Sequence, residues 1–197
     1  MLVKRVEYLV KSGKFAGSRE FTQIYTQITE AITSISWPKK TGKFEILPER
    51  KGNGVKPIKQ KCMHFLKAKG WKLEERLNLG SRLKPGPIDA VFENPNYRKF
   101  AFEWETGNIS SSHRALNKMA LGMINGVLAG GILVVPSREL YQYLTDRIGN
   151  FPEIEPYFPL WKSMNIEGVL GVIEIEYDSI NPKSPAIPKG TDGRALR

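Results

Sequence analysis

The chain reads as an α/β protein, and three observations lead there. Short segments of strand composition lie at 88–92, 100–105, 132–135 and 169–175. Between and before them, apolar residues recur at intervals of three and four, the period of an amphipathic helix. The 197 residues, 41% hydrophobic and 25% charged, suffice for one sizeable core, and no internal repeat or linker divides them. Strand and helix patterns in alternation mark a layered α/β architecture.

Phe21, Ile24, Tyr25, Ile28, Ile32 and Ile35 form the first helical stripe, ended by Trp37-Pro38, because the residue before proline is pushed out of the helical region. Residues 38–55, rich in Lys, Gly and Pro, read as a loop around a short strand from Phe44 to Leu47. Pro57 opens a second helix with Ile58, Cys62, Phe65 and Leu66 on one face and Gly70 as its stop. His64 lies beside that stripe as a boundary histidine. Ile88 to Phe92 and Phe100 to Glu105 are expected strands, joined by a turn at Glu93-Asn94-Pro95-Asn96. Leu116, Met119, Ala120, Met123, Ile124, Val127 and Leu128 predict a helix. Gly130-Gly131 ends it, ahead of a short buried strand, Ile132 to Val135. Pro136-Ser137 starts a further helix carrying Leu140, Tyr143, Leu144 and Ile148 and stopping at Gly149. Val169 to Ile175 is another strand. One domain over 1–180 is expected, then a basic, Pro/Gly-rich arm over 181–197, extended unless a partner orders it.

Charge restricts the partners. Thirty Lys+Arg against 20 Asp+Glu give a net charge of +10, which favours polyanions. Cys62 is the one cysteine, so no intrachain disulfide can form and a reducing compartment fits. With two histidines, His64 and His113, there is no Cys/His-rich zinc site. The opening MLVKRVEYLVKSGK is broken by charge too often for a signal peptide. The longest apolar run, Gly126 to Pro136, is too short to span a bilayer. A soluble cytoplasmic protein without a membrane partner is expected.

The chemistry concentrates between Gly86 and Arg114, GPIDAVFENPNYRKFAFEWETGNISSSHR. Asp89 follows Pro87-Ile88, and Glu103 and Glu105, one residue apart on a strand, share a face. Carboxylates held close repel one another unless a cation joins them. A hard divalent ion such as Mg²⁺ takes oxygen ligands and supplies the charge and the activated water that phosphodiester hydrolysis needs. The same ExE pattern also fits a solvated sheet face. Glu74 and Glu75, just after Trp71, are two more acids able to fold back. Behind the acids, Asn108, Ser110, Ser111, Ser112, His113 and Arg114 begin a helix, whose free N–H groups and positive dipole end suit phosphate. Asn108, Ser110 and Arg114 are types that read base edges or phosphates, and the Asn and Ser equally types that cap a helix. Asp146-Arg147 falls in the last turn of the next helix, where Arg also favours the dipole. No P-loop and no HExxH motif is present.

GPID, E-x-E-T-G-N-I-S-S-x-H-R, YLTDR followed by NF, EPYF and IPKG-x-DG occur in that order, with TSISWP and NGVKPIK nearer the front. In this combination, over most of its length, the chain closely resembles the BamHI-type family of type II restriction endonucleases. The resemblance implies the PD…ExK restriction-endonuclease core, a mixed central β-sheet flanked by helices, with Glu105 where most relatives carry Lys. It implies Mg²⁺-dependent hydrolysis of double-stranded DNA at GGATCC, cut after the first G to leave 5′ overhangs, in a bacterial restriction–modification system. Mn²⁺ would substitute, and Ca²⁺ would bind without supporting cleavage. Asp89 and Glu103 would hold the metal with the backbone carbonyl of Trp104, and Glu105 would orient or deprotonate the water. Glu74 falls on the family's additional acidic ligand, with Glu75 adjacent in a loosely matched WKLEE. Asn108, Ser110, Arg114, Asp146 and Arg147 match the base-reading residues, and Lys59 matches a water-mediated contact. Asp192 and Gly193 match an arm that enters the minor groove.

A palindromic site needs a two-fold symmetric reader. The resemblance implies a homodimer through helices matching 109–128 and 137–148, with part of the Met119, Met123 and Ile124 stripe facing a partner helix; the alternative is that the whole stripe is internal core. The chain departs from the family at its end, stopping at Arg197 soon after the DG pair, so an order–disorder change of a C-terminal helix is not carried over. Two other readings stand beside this one: a sequence-specific DNA-binding protein without catalysis, and a structure-selective or RNA nuclease with the same metal core.

Overall fold

The structure is a computed structural model, and it describes residues 1–39, 41–80, 85–93, 98–145 and 148–189. In chain order the elements are β1 (Leu2–Ser12), α1 (Gly13–Ala16), α2 (Arg19–Thr33), β2 (Glu45–Ile46), α3 (Lys56–Ala68), β3 (Lys72–Glu75), β4 (Ile88–Phe92) and β5 (Lys99–Trp104). There follow α4 (Ile109–Ile124), β6 (Leu128–Pro136), α5 (Arg138–Tyr141), α6 (Phe151–Ile154), a 3-10 turn (Glu155–Tyr157), α7 (Phe158–Lys162), β7 (Gly168–Glu176) and β8 (Ser179–Ile180). Six strands make one mixed sheet in the order β1-β7-β6-β5-β4-β3. The central trio β7, β6 and β5 is parallel, while β1, β4 and β3 join antiparallel. β2 and β8 form a small parallel pair apart from it.

Side chains alternate between the sheet's two faces, and each face carries its own core. Phe100 and Phe102 of β5 and Ile132 and Val134 of β6 pack with Ile24, Ile28, Ile58 and Leu66 of α2 and α3. Ala101, Leu133 and Val135 pack with Leu116 and Met119 of α4, Phe151 of α6 and Trp161 of α7. The result is the mixed sheet flanked by helices that the sequence implied, with α2 begun by Ser18, whose hydroxyl accepts the Phe21 N–H at 3.1 Å.

Several elements differ from expectation. β1 is an eleven-residue strand pairing with β7, in a segment of mixed polarity. Its register shifts between Val3 and Arg5 and again between Tyr8 and Val10, and each bulge resets the two-residue alternation that would reveal it. β3 occupies the KLEE segment on the sheet's far edge. α4 ends at Ile124, six residues before the expected glycine stop, and the turn is made by Gly126 at φ +70. Gly130 and Gly131 lie inside β6, where a Cβ would meet Val169 O at 2.2 Å and Met119 Sδ at 2.3 Å respectively. They are glycines because a neighbouring strand and α4 come too close for a side chain. Of the α4 stripe, Leu116, Met119, Ala120 and Met123 are buried within the chain, and Ile124 is 56% exposed.

The helix expected to run to Ile148 stops at Tyr141. The Tyr143 carbonyl accepts the Asn53 backbone N–H at 3.0 Å, and the Thr145 N–H donates to Asn53 O at 2.6 Å. Those groups are used across the chain and cannot continue a helix. Residues 151–162 instead hold three short helical turns, each opened by a proline in its first turn. The C-terminal segment is packed against the body through Lys189: Trp37 Nε1 donates to Pro185 O at 2.6 Å, and Ile187 is buried. The expected turn at Asn94-Pro95-Asn96 and the arm beyond Lys189 lie outside the described residues. Among the described residues, no helix is long and apolar enough to cross a membrane.

Gly130→Ala tests the close approach of β6 to β7. The obstructing atom is backbone, so the strands must move apart. A loss of about 1–3 kcal/mol is expected, read as a lower urea midpoint with an unchanged slope.

Candidate active site

Antiparallel pairing of β4 with β5 sets Ala90 opposite Phe102, and so brings Asp89 level with Glu103. The Trp104 N–H donates to Asp89 Oδ2 across the strands at 2.8 Å. Glu105 follows at the carboxyl end of β5, tied by its own N–H to Val134 O of β6 at 2.9 Å. Crevices at the carboxyl ends of parallel strands are where α/β sheets receive ligands. Asp89, Glu103 and Glu105 are 8%, 7% and 5% exposed, which rules out a solvated sheet face.

Buried carboxylates need partners, and each of these has one. Asp89 Oδ1 pairs with Lys59 Nζ at 2.5 Å. Glu103 Oε1 pairs with the Lys118 ammonium, which also donates to Pro87 O at 2.8 Å. Glu105 Oε1 accepts the Gly107 N–H at 2.5 Å and Oε2 accepts the Ser112 hydroxyl at 2.6 Å. A Cβ on Gly107 would sit 2.7 Å from Ser111 Oγ, so a glycine lets the loop fold tightly enough to aim its N–H at Glu105. Burial, reinforced by the Asp89 charge, pushes the Glu103 carboxyl up to about 7 against the pull of Lys118. Burial also raises Glu105, opposed by Ser112 and the Gly107 N–H.

The acids open into a cleft of about 470 Å³ lined also by Lys59, Arg114 and Lys118. A second cavity, about 380 Å³, lies among Arg50, Lys51, Arg138 and Tyr141, and Glu139 is its one carboxylate. A third, about 420 Å³, holds Glu139 and Glu174 among Lys4, Arg5 and Arg138; the first of the three gathers Asp89, Glu103 and Glu105. Its chemistry fits a divalent cation: Asp89 and Glu103 are hard oxygen donors, and the buried Glu103 Oε1 has an ion pair but no hydrogen bond of ordinary geometry. With the lysines in place, the described residues contain no cluster of three or more His, Cys, Asp or Glu drawn close enough to enclose an ion.

The other expected site residues divide. Lys59 lies in the cleft. Asn108 and Ser110 are exposed at the start of α4. Asn108 Oδ1 accepts the Ser111 N–H at 3.3 Å and so caps the helix. Arg114 is exposed, its Nη2 donating to Ser111 Oγ at 3.3 Å. Glu74 is exposed on β3, between the pairs Leu73–Ala90 and Glu75–Ile88 and hence level with Asp89. Its φ is +53 and it does not line the cleft; Glu75 does not either. Asp146, Arg147, Asp192 and Gly193 lie outside the described residues. Sequence reasoning missed Lys118 and treated Ser112 as a cap. Lys118 stands one helical turn beyond Arg114 and two beyond Ser111, a spacing that marks a shared face.

The mixed sheet and the acids buried at its carboxyl end are compatible with a metal-assisted nuclease, and comparison with known proteins gives the class. Restriction endonuclease BglII, solved in complex with a DNA 16-mer, superposes with a TM-score of 0.56 at 11% identity, over 94% of this chain and 87% of that one. The family model for restriction endonuclease BamHI matches residues 1–194. The type II restriction enzyme OkrAI of Oceanobacter kriegii is 50% identical over 198 residues, covering all of both chains. The type II restriction enzyme BamHI of Bacillus amyloliquefaciens is 37% identical, over 97% of this chain and 92% of that one. The chain belongs to the BamHI family of type II restriction endonucleases, so it is a DNA-cutting enzyme and not a non-catalytic DNA-binding protein. The family works with a divalent metal ion.

The raised Glu103 carboxyl has a consequence for stability. Its folded value, about 7, lies above the ordinary 4.5, so between the two the folded chain holds more protons than the unfolded one. Stability from this group is complete below about pH 4.5 and is lost as the pH rises through about 7. Thermal unfolding in chelator should follow that decline, and Glu103→Gln should flatten it; equal slopes would mean an unshifted carboxyl.

Proposed function

We propose that this enzyme is a homodimer that uses Mg²⁺ to cut duplex DNA at GGATCC, after the first G of each strand, in the cytoplasm of a bacterium with a matching methyltransferase. The observation that carries the catalytic part is the convergence of buried Asp89, Glu103 and Glu105 beside the exposed first turn of α4. The target sequence and dimer rest on the resemblance of the residues that match the family's DNA-reading and dimer-forming positions.

Asp89 and Glu103 would hold the ion, with the Trp104 carbonyl and with Glu74, which lies level with Asp89 on the neighbouring strand. When bound, Mg²⁺ supplies charge to the phosphate oxygens and lowers the pKa of a coordinated water. Glu105 would act as general base, accepting a proton from the attacking water. Its two oxygens are aimed by the Gly107 N–H and the Ser112 hydroxyl, and its raised pKa brings it nearer the working pH. Mn²⁺ would replace Mg²⁺, and Ca²⁺ would occupy the site without cutting.

Asn108, Ser110 and Arg114 would read bases from the exposed start of α4, with Asp146 and Arg147 from the segment after Thr145. Lys59 would contact DNA through water, and Asp192 and Gly193 would enter the minor groove. In the dimer α4 would meet its copy through exposed positions such as Ile124, since Met119 and Met123 are buried within the chain.

Plasmid carrying one GGATCC, incubated with and without Mg²⁺, tests the reading: intact plasmid in both would refute it, and sequencing the cut ends fixes target and position together. Glu105→Ala should abolish cutting while specific binding survives. Arg147→Ala should cost about 1–3 kcal/mol at the base pair it reads; equal weakening on all sequences would make Arg147 a phosphate contact. Affinity should fall steeply with salt as counterions are released, and a flat log–log plot would contradict a DNA-binding basic surface.

A further inference from the structure

NGVKPIK contains a residue pair that the catalytic site does not use, Asn53-Gly54. Asn53 is polar yet 0% exposed. Its Nδ2 donates to Leu47 O at 2.9 Å and to Tyr143 O at 3.1 Å, and its Oδ1 accepts the Ile187 N–H at 3.2 Å. Its backbone N–H donates to Tyr143 O at 3.0 Å, and its carbonyl accepts the Thr145 N–H at 2.6 Å. One buried side chain and its own peptide groups thus hold three segments that are far apart in sequence. Gly54 completes the arrangement: its N–H donates to Ile187 O at 2.8 Å, and a Cβ there would stand 2.0 Å from Pro188 O. Only glycine admits the arm's backbone at that distance.

The segments so joined are specific ones. Thr145 immediately precedes Asp146-Arg147, and Lys189 precedes Asp192-Gly193 by three positions. On the other side, Asn53-Gly54 leads directly into α3, which carries Lys59 to its ion pair with Asp89. A buried amide whose donors and acceptor are all engaged fixes geometry closely, because shifting any one partner leaves a buried polar group unsatisfied.

We propose that Asn53-Gly54 is a positioning joint for DNA specificity: it sets the segment that leads into Asp146-Arg147 and the arm that leads into Asp192-Gly193 at a fixed separation from each other and from α3. The proposal rests on the reading of those four residues as DNA contacts. Asn53 touches no DNA itself. Its effect is on discrimination between the target and its near relatives, since two readers in wrong relative register lose contacts to the correct sequence that a wrong sequence never made.

The test uses the full-length enzyme and two variants. Asn53→Asp keeps the shape but replaces two donors with an acceptor facing two carbonyls, and frees both segments. Gly54→Ala displaces the arm alone and spares the Asn53 bonds to Leu47 and Tyr143. Hydrogen–deuterium exchange should rise in 143–145 and 184–189 for Asn53→Asp, and in 184–189 only for Gly54→Ala. The ratio of kcat/KM on GGATCC to that on one-base variants should fall about tenfold or more in each. A merely structural role lowers the active fraction and leaves that ratio unchanged. Faster exchange with a ratio kept within about twofold of wild type would overturn the proposal, as would slow exchange in both segments of both variants. Wild-type enzyme with no preference for GGATCC would fault the reading of the DNA contacts instead, and the exchange data would still report on the joint.

Discussion

The active site depends on one electrostatic constraint. Antiparallel pairing of β4 and β5 sets Asp89 and Glu103 side by side, and Glu105 follows one residue beyond Trp104, all below one-tenth exposure. Three ionised carboxylates in such a place repel one another and have lost their water. The surrounding chain answers on each oxygen it can reach: Lys59 from α3 on Asp89, Lys118 from α4 on Glu103, and Ser112 with the Gly107 N–H on Glu105. The two helices that clamp the sheet from opposite faces are therefore also the ones that compensate its charge. The upward shift of Glu103 to about 7 is what remains uncompensated, and a divalent cation is the natural remedy for that remainder.

The same constraint gives the acids different partners. Asp89 and Glu103 face lysines, which a metal ion can replace as their positive partner. Glu105 faces neutral donors, the Gly107 N–H and the Ser112 hydroxyl. On the proposed mechanism, that difference in partners would suit the first two acids to holding an ion and the third to handling a water. The loop 105–108 and the first turn of α4 face two ways: the Gly107 N–H and the Ser112 hydroxyl bond Glu105, while Asn108, Ser110 and Arg114 are exposed.

Legibility varied with how local the cause was. The helices α2, α3 and α4 were readable because a one-sided apolar stripe is a local pattern, and β4 and β5 because segments of strand composition flank a polar Asn-Pro-Asn turn signal. β1 was hidden by two bulges that break its alternation. The glycines of β6 passed for a helix stop, because a residue without a side chain looks the same whether it ends a helix or admits a neighbouring strand. The helix expected to reach Ile148 fails at Tyr141 because Asn53, ninety positions away, takes the carbonyl of Tyr143. Leu140, Leu144 and Ile148 are still buried, so their periodicity reported burial correctly and conformation only in part.

The sequence by itself determined the class of chemistry. It holds Asp89 and the Glu103–Glu105 pair on strands, with a polar helix start behind them in a chain of net charge +10, and its ordered motifs carry the family. Strand alternation and helix periodicity are short-range, so residue spacing alone is enough to place Glu103 and Glu105 on one face. Only the tertiary structure decided that the acids are buried rather than solvated, and that Lys59 and Lys118 balance two of them. It also left Glu74 on the sheet's rim and tied Asn53 to both Tyr143 and Ile187. Burial and charge compensation are sums over segments brought together from distant parts of the chain, and no local pattern in the sequence records them.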